Sequence, residues 1–322
     1  MRPLDRRSLL ALLPLLLGAP AVLAQDSWPS RPIRMVVPFP PGGSSDILGR
    51  LLADQMGKVL GASIVVETKP GGTTQVGTEL VANAAPDGYT MLLGASTAFT
   101  LLPNLRKLNF SLDSFEVLGG VADYMAIMAV KKQLGIQDMK QFVAHAKKNP
   151  GKLSFDSAGE ASAGHIYGAT LAQGTGIEVL HVPFRGSADA ANALVAGEID
   201  FIIDGAITPM AKADRVVPLA TFYRKRHPGL PNVPTLSEAG FDIAMSKGAG
   251  WSVLVPKGTP APIVTRLSEA LRKVLAQTEV QEALVRANSL AAWQTPQEYR
   301  AGVEADRRMY SELLPAIRIK GN

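Results

Sequence analysis

The residues best placed to hold a ligand lie in two short stretches of small side chains. The first is Phe39-Pro40-Pro41-Gly42-Gly43-Ser44-Ser45-Asp46. The second is Ser157-Ala158-Gly159-Glu160-Ala161-Ser162-Ala163-Gly164-His165. Each follows a strand-like apolar run and precedes a helical pattern. Glycines let a backbone approach a ligand closely. The first N–H groups of a helix lack internal partners, and the helix dipole favours an anion there. Phe39, Pro41, Gly42, Gly43, Ser44 and Asp46 are therefore candidate binding residues in the first stretch. Ser157, Ala158, Ser162 and His165 are their counterparts in the second. The plainer reading of each stretch is a tight turn with a serine cap, Ser44 or Ser45 in the first. Two such loops in two α/β units could face each other across a cleft, because open sheets bind ligands beyond the carboxyl ends of their strands.

A third candidate is Gly94-Ala95-Ser96-Thr97-Ala98. It nearly spells a nucleophile elbow, but Ala98 stands where the last Gly is needed. Read as a hydrolase, the chain would use Ser96 with His227, the one late histidine. Read otherwise, Ser96, Thr97 and Ala98 line a pocket wall. His165 reads either as a general base or as a first-turn helix residue that orients its loop or donates to a ligand. His145 is expected at the surface, and His181 reads as a strand residue. Asp204 comes directly after an apolar strand, where it either caps the next turn or reaches the cleft. No Gly-x-Gly-x-x-Gly follows a strand and no phosphate loop is complete, so nucleotide chemistry has no support. The sequence has no cysteine, which excludes disulfides, thiolate metal sites and cysteine nucleophiles. The four histidines share no ligand spacing. No metal and no cofactor are expected.

The elements that must position these residues alternate between strand and helix. Ile33–Val37, Ile64–Val66 and Thr90–Leu93 read as strands, with helices between them. Phe115–Gly119, Met125–Val130, Leu153–Phe155, Val179–Val182, Phe201–Ile203, Val216–Thr221 and Trp251–Val255 follow as strands. Between them Asp138–Lys148, His165–Gln173 (stopped by Gly174) and Asp189–Ala196 read as helices. Pro262–Ala276, Glu279–Ala287 and Gln297–Leu313 close the chain as helices. The pattern predicts largely parallel sheets covered on both faces, in two assemblies. The second starts near Val121, and the closing helices return to the first.

Length and charge bound the rest. The 322 residues carry 33 Lys+Arg and 28 Asp+Glu, a net charge of +5. Residues 1–24 read as a cleavable export signal, with Arg2, Arg6 and Arg7 before the apolar Leu9–Leu17. The Arg6-Arg7 pair is compatible with the twin-arginine route. Removing this leader takes away three Arg and Asp5, lowering the charge to about +3. That excludes a nucleic-acid partner, and Arg224-Lys225-Arg226-His227 reads as a solvated loop.

The order of these signals resembles the Bug-type extracytoplasmic solute receptors of tripartite tricarboxylate transporters. The matching stretches are Trp28-Pro29-Ser30-Arg31-Pro32-Ile33, Val36–Gly43, Glu67-Thr68-Lys69-Pro70-Gly71 and Ala85–Thr90 in the first half. Asn149–Leu153, Val182–Ser187, Leu230–Thr235 and Pro256–Pro262 come after them. The resemblance implies an α/β, two-domain periplasmic-binding-protein fold of the Venus flytrap, type II-like kind, with its ligand cleft between the lobes. Residues 25–122 plus 250–322 would form lobe 1, and 123–249 lobe 2. The two loops would hold one carboxylate of a small organic acid, with Asp204 at the far end of the ligand. Thr74 would join them, in a turn where the family usually has Gly-Asn-Ile-Gly and this chain has Thr74-Gln75-Val76-Gly77. Glu160 and Phe184-Arg185 are further departures. The implied partners are the membrane components of such a transporter, or a sensor. The implied protein is a periplasmic monomer without enzymatic activity; a signalling-only receptor and the Ser96 hydrolase stand as alternatives.

Overall fold

The computed structural model of the protein describes residues 28–243 and 250–317. The expected leader lies outside them. The first section holds β1 (Ile33–Val37), α1 (Ser44–Leu60), β2 (Ile64–Thr68), α2 (Gln75–Ala82), β3 (Thr90–Ala95), α3 (Thr97–Thr100), α4 (Leu102–Leu105) and β4 (Phe115–Tyr124). The middle section holds β5 (Ala126–Val130), α5 (Met139–Lys148), β6 (Leu153–Ser157), α6 (Ala163–Thr175), β7 (Val179–Pro183), α7 (Ser187–Ala196), β8 (Phe201–Asp204), α8 (Thr208–Lys212) and β9 (Val217–Phe222). The last holds β10 (Trp251–Pro256), α9 (Ala261–Leu275), α10 (Thr278–Arg286), β11 (Ser289–Gln294) and α11 (Pro296–Ala316).

Two sheets result, and the fold has two lobes. The first sheet runs β11-β4-β10-β3-β1-β2, the second β7-β6-β8-β5-β9. Each has apolar cores on both faces. In the first lobe, α1, α9 and α10 cover one face, and α2 and α11 the other. In the second, α5 and α6 lie on one face and α7 on the other. All six residues of β3 are buried, as expected of a central strand written as a continuous apolar run.

The sheets are mixed rather than largely parallel. β1 pairs in parallel with β2 and β3, and β6 with β7 and β8. β10, β11 and β5 pair antiparallel with their neighbours. A helical crossover imposes parallel pairing only between strands of one sheet. β5 instead continues β4 into the other sheet after the single residue Met125, and β10 returns from the second lobe. A further difference concerns α6. It runs through Gly174 and stops at Gly176, whose φ of +66° suits glycine.

Two close approaches set the height of the loops. A side chain at Gly49 would collide with Val37, so α1 lies tight on β1. A side chain at Gly168 would collide with the Phe155 ring, so α6 lies tight on β6. Each helix N-terminus is thereby held above the end of the strand before it.

Candidate functional site

The first loop leaves β1 at Val37. The Phe39 ring leans edge-on against Trp251 of β10, with centroids 5.4 Å apart. Gly42 takes φ +86°, a conformation cheap only for glycine. The N-cap of α1 is Gly43, with no side-chain cap. Ser44 and Ser45 lie inside the first turn instead. The bracing group is Asp46. Its Oδ2 accepts the Gly42 N–H at 3.0 Å, and its Oδ1 pairs with Arg50 at 3.0 Å. Nothing in the described residues takes the N–H groups of Ser44 and Ser45. A Cβ built on Gly43 meets nothing within 4 Å. The loop therefore offers free donors beside open space.

The second loop leaves β6 at Ser157. Ser162 is the N-cap of α6, as a serine at that position should be, and its Oγ accepts the His165 N–H at 3.5 Å. Ala161 sits at φ +56° with its side chain buried. Its N–H donates to His165 Nδ1 at 3.0 Å. His165 stacks on His181 of β7, with centroids 3.8 Å apart and planes 6° from parallel. His181 Nε2 lies 2.7 Å from Ser157 Oγ, which also donates to Gly159 O at 2.8 Å. Burial holds His165 below the usual imidazole range, opposed by Glu160. Burial, with His165 beside it, pushes His181 down to about 4. Both rings are thus neutral at pH 7. The N–H groups of Ala158, Glu160, Ala163 and Gly164 have no partner among the described residues.

Each loop touches a different turn of the opposite lobe. Thr73 Oγ1 donates to Glu160 O at 3.1 Å, a bond from one lobe to the other. A Cβ on Gly186 would touch Pro40 at 3.6 Å. Thr73 and Thr74 take φ +52° and +80°. For β-branched residues this is a strained turn. Thr74 is buried at 2% exposure, and its hydroxyl has no partner. An apolar contact completes the join: Ala161 and Ile166 of the second lobe pack with Leu101, Leu105, Tyr310 and Leu314 of the first.

The remaining candidates fall in different places. Ser96 caps α3 by position, and its hydroxyl meets no histidine or carboxylate among the described residues; Thr97 is half-buried beside it. Ala98 is fully buried in the core. The serine that touches a histidine is Ser157. Asp204 is already engaged by protein groups: Ser187 Oγ and the Ala206 N–H each donate to it at 2.8 Å, and the Tyr124 hydroxyl of β4 also reaches it. His227 is buried, which corrects the solvated-loop expectation at that residue. Arg224 and Arg226 are exposed but paired, with Asp123 and Glu238. Among the described residues no group of three metal-ligating side chains forms.

Sequence reasoning passed over His181, Thr73 and Asp156 as site residues. Strand parity would have put His181 on one face of β7, but not beside Phe155 and His165. Asp156 stands one residue before the second loop and is fully buried, with no partner for either oxygen. Burial, reinforced by Asp204, pushes its carboxyl up to about 9. No residue pattern announces a buried acid of this kind.

Comparison with known proteins extends this picture. Residues 48–308 match the model of the tripartite tricarboxylate transporter family receptor. A protein of Pseudomonas sp. strain P51, the UPF0065 protein in the tcbD-tcbE intergenic region, is 34% identical and covers 99% of this chain and 96% of its own. The periplasmic binding protein BugD is 32% identical, with a TM-score of 0.83 over 92% of this chain and 100% of its own. R. palustris Rpa4515, solved with adipate, is 28% identical, with a TM-score of 0.85 over 92% and 100% of the two chains.

Proposed function

Because the chain belongs to the tripartite tricarboxylate transporter receptor family, we propose that it is a periplasmic receptor that closes two lobes on a small carboxylate. The observation that supports this most is the presence of free N–H groups in both loops, at Ser44 and Ser45 in one lobe and at Ala158, Glu160, Ala163 and Gly164 in the other, each loop lying where the two lobes touch. Converging N–H groups at helix N-termini suit a carboxylate. Phe39, Pro41, Gly42, Gly43, Ser157, Ala158 and Ser162 form the walls in this reading, with Asp46 and His165 bracing them. Thr74 and Ser96 contribute free hydroxyls, Thr97 lines the wall between them, and Asp204 holds the floor through Ser187. Among the described residues, 28–124 with 250–317 form one lobe in this reading and 126–243 the other. The ligand binds the closed form better than the open one, and that difference drives closure. The Thr73–Glu160 bond and the apolar cluster of Ala161 and Ile166 with Leu101, Leu105, Tyr310 and Leu314 form when the lobes meet.

The protein performs no chemical step in this reading. It hands the carboxylate to the membrane components of a tripartite transporter after export. A thermal-shift panel of mono-, di- and aromatic carboxylates tests it. At least one should raise the melting temperature, since a ligand that binds only the folded state stabilises by mass action. A panel in which none does overturns the carboxylate assignment. Turnover of an ester substrate abolished by Ser96→Ala would overturn the receptor in favour of a hydrolase.

A further inference from the structure

A non-glycine residue in the left-handed region stays there only if its surroundings hold it. Ala161 is such a residue, at φ +56° in the middle of the second loop. Its hold is His165, whose Nδ1 accepts the Ala161 N–H at 3.0 Å. With Nδ1 an acceptor, the ring proton sits on Nε2. His165 is fixed in turn by lying flat on His181, and His181 by Ser157 Oγ and the Phe155 ring 4.9 Å away. The chain of contacts starts at Ser157, the residue where the loop leaves β6, and ends at Ala161 within it. Two imidazoles therefore close the loop on itself.

Resting on the carboxylate reading above, we propose that His165 and His181 are the positioning pair of the second loop, and that only neutral His165 keeps the loop competent to bind. Protonation puts a hydrogen on Nδ1, where the Ala161 N–H already points. An acceptor becomes a donor facing a donor, and Ala161 loses its hold. The backbone that carries the free N–H groups of Ala158 and Glu160 then loses its fixed shape. Few charges oppose or assist this. Glu160, in the loop itself, favours the charged ring; His181, on β7, stacks against it. From β6 the neighbours are Phe155 and Ser157, and from the first lobe Thr73 reaches the Glu160 carbonyl. Burial outweighs Glu160, so the loss comes at a lower pH than for an ordinary imidazole.

The test measures adipate binding from pH 7.5 to pH 4.5 in the wild type, His165→Asn and His165→Leu. The asparagine oxygen can take the Ala161 N–H but does not titrate. Wild type and His165→Asn should agree within about threefold at pH 7.5, while His165→Leu binds about tenfold more weakly, the scale of one lost hydrogen bond with its donor left unpaired. At pH 4.5 the wild type should bind about tenfold more weakly than His165→Asn. Because both bind the same ligand at the same pH, protonation of adipate cancels. A wild type that tracks His165→Asn at every pH overturns the proposal, as does unimpaired His165→Leu. The Ala161 amide resonance of the ligand-free protein separates this from the function itself. It should move as His165 titrates in the wild type and stand still in His165→Asn. If adipate and the whole carboxylate panel bind neither protein, the carboxylate reading fails. The Ala161 resonance still decides the positioning role, and a pH-independent resonance overturns it.

Discussion

The loop after β1 is braced from within by a carboxylate in the first turn of its own helix, four residues after Gly42. The loop after β6 is braced through a ring stacked on a strand that lies beyond α6. Asp46 reaches Gly42 and Arg50, all inside one stretch of sequence. His165 reaches Ala161 locally, but His181 comes from 24 residues past Ser157. The same task, aiming backbone N–H groups at a cleft, has a local solution in one lobe and a tertiary one in the other. The local brace depends on a short helical spacing. The tertiary brace depends on strand register, since Phe155 stands opposite His181 in the parallel pair.

The largest expected effect comes from the base of the second loop. Asp156 has its carboxyl raised to about 9 from an ordinary 3.8. A raised value in the folded state means its contribution to stability is fully present below pH 3.8 and is lost as pH rises towards 9. Asp156→Ala should therefore melt above the wild type at about pH 8, with the gap closing near about pH 4. The gap should grow by at most about 1.4 kcal/mol per pH unit. Equal melting curves at both pH values would show that this buried acid costs nothing, and that the second loop rests on as relaxed a base as the first.

Next comes the first loop. The Cβ of Gly43 would enter open space, so Gly43→Val should leave the melting temperature of the free protein unchanged and fill the room meant for ligand. Affinity for any carboxylate that stabilises the wild type should fall about a hundredfold, near 2.7 kcal/mol. Unchanged affinity would remove this loop from the site and leave the second loop as the anion holder. A smaller effect should come from breaking the contact between the turn before α2 and the second loop. Thr73→Val removes the bond to Glu160 O, and calorimetry should show a two- to fivefold weakening, about 0.5–1 kcal/mol. The smallest is a control: Lys147 is exposed on α5, and Lys147→Ala should leave affinity within error. A large loss there would place the second lobe's binding surface on the wrong side.

Much of the fold was legible in particular residues. The β1–α1 unit could be read from Ile33–Val37 and the periodic apolar residues of α1, because buried strands and amphipathic helices write their period into the chain. β11 was missed, since Ser289–Gln294 is short and half-buried and lacks a clear alternation. β5 and β10 were read as strands, but their antiparallel direction was missed for another reason. Direction within a sheet depends on which lobe the chain comes from, and β10 gives no local sign that it returns from the second. At the site, the glycine-rich loop and Ser162 as a helix cap were visible locally. The engagement of Asp204 with Ser187, and the burial of Ala98 in the core, were not, because each depends on a neighbour distant in sequence.

The sequence alone determined two α/β units, two small-residue loops at strand ends, and a helix start after each. These arise from local propensities, which act over a few residues. Only the tertiary structure decided what holds each loop in shape, that the second loop meets the first lobe through Thr73 and Glu160, and that α11 shares an apolar cluster with Ala161. Those outcomes depend on strand order, register and lobe closure. They are fixed by the packing of the whole chain, because a side chain can brace a loop only where the folded sheets bring it within hydrogen-bond reach.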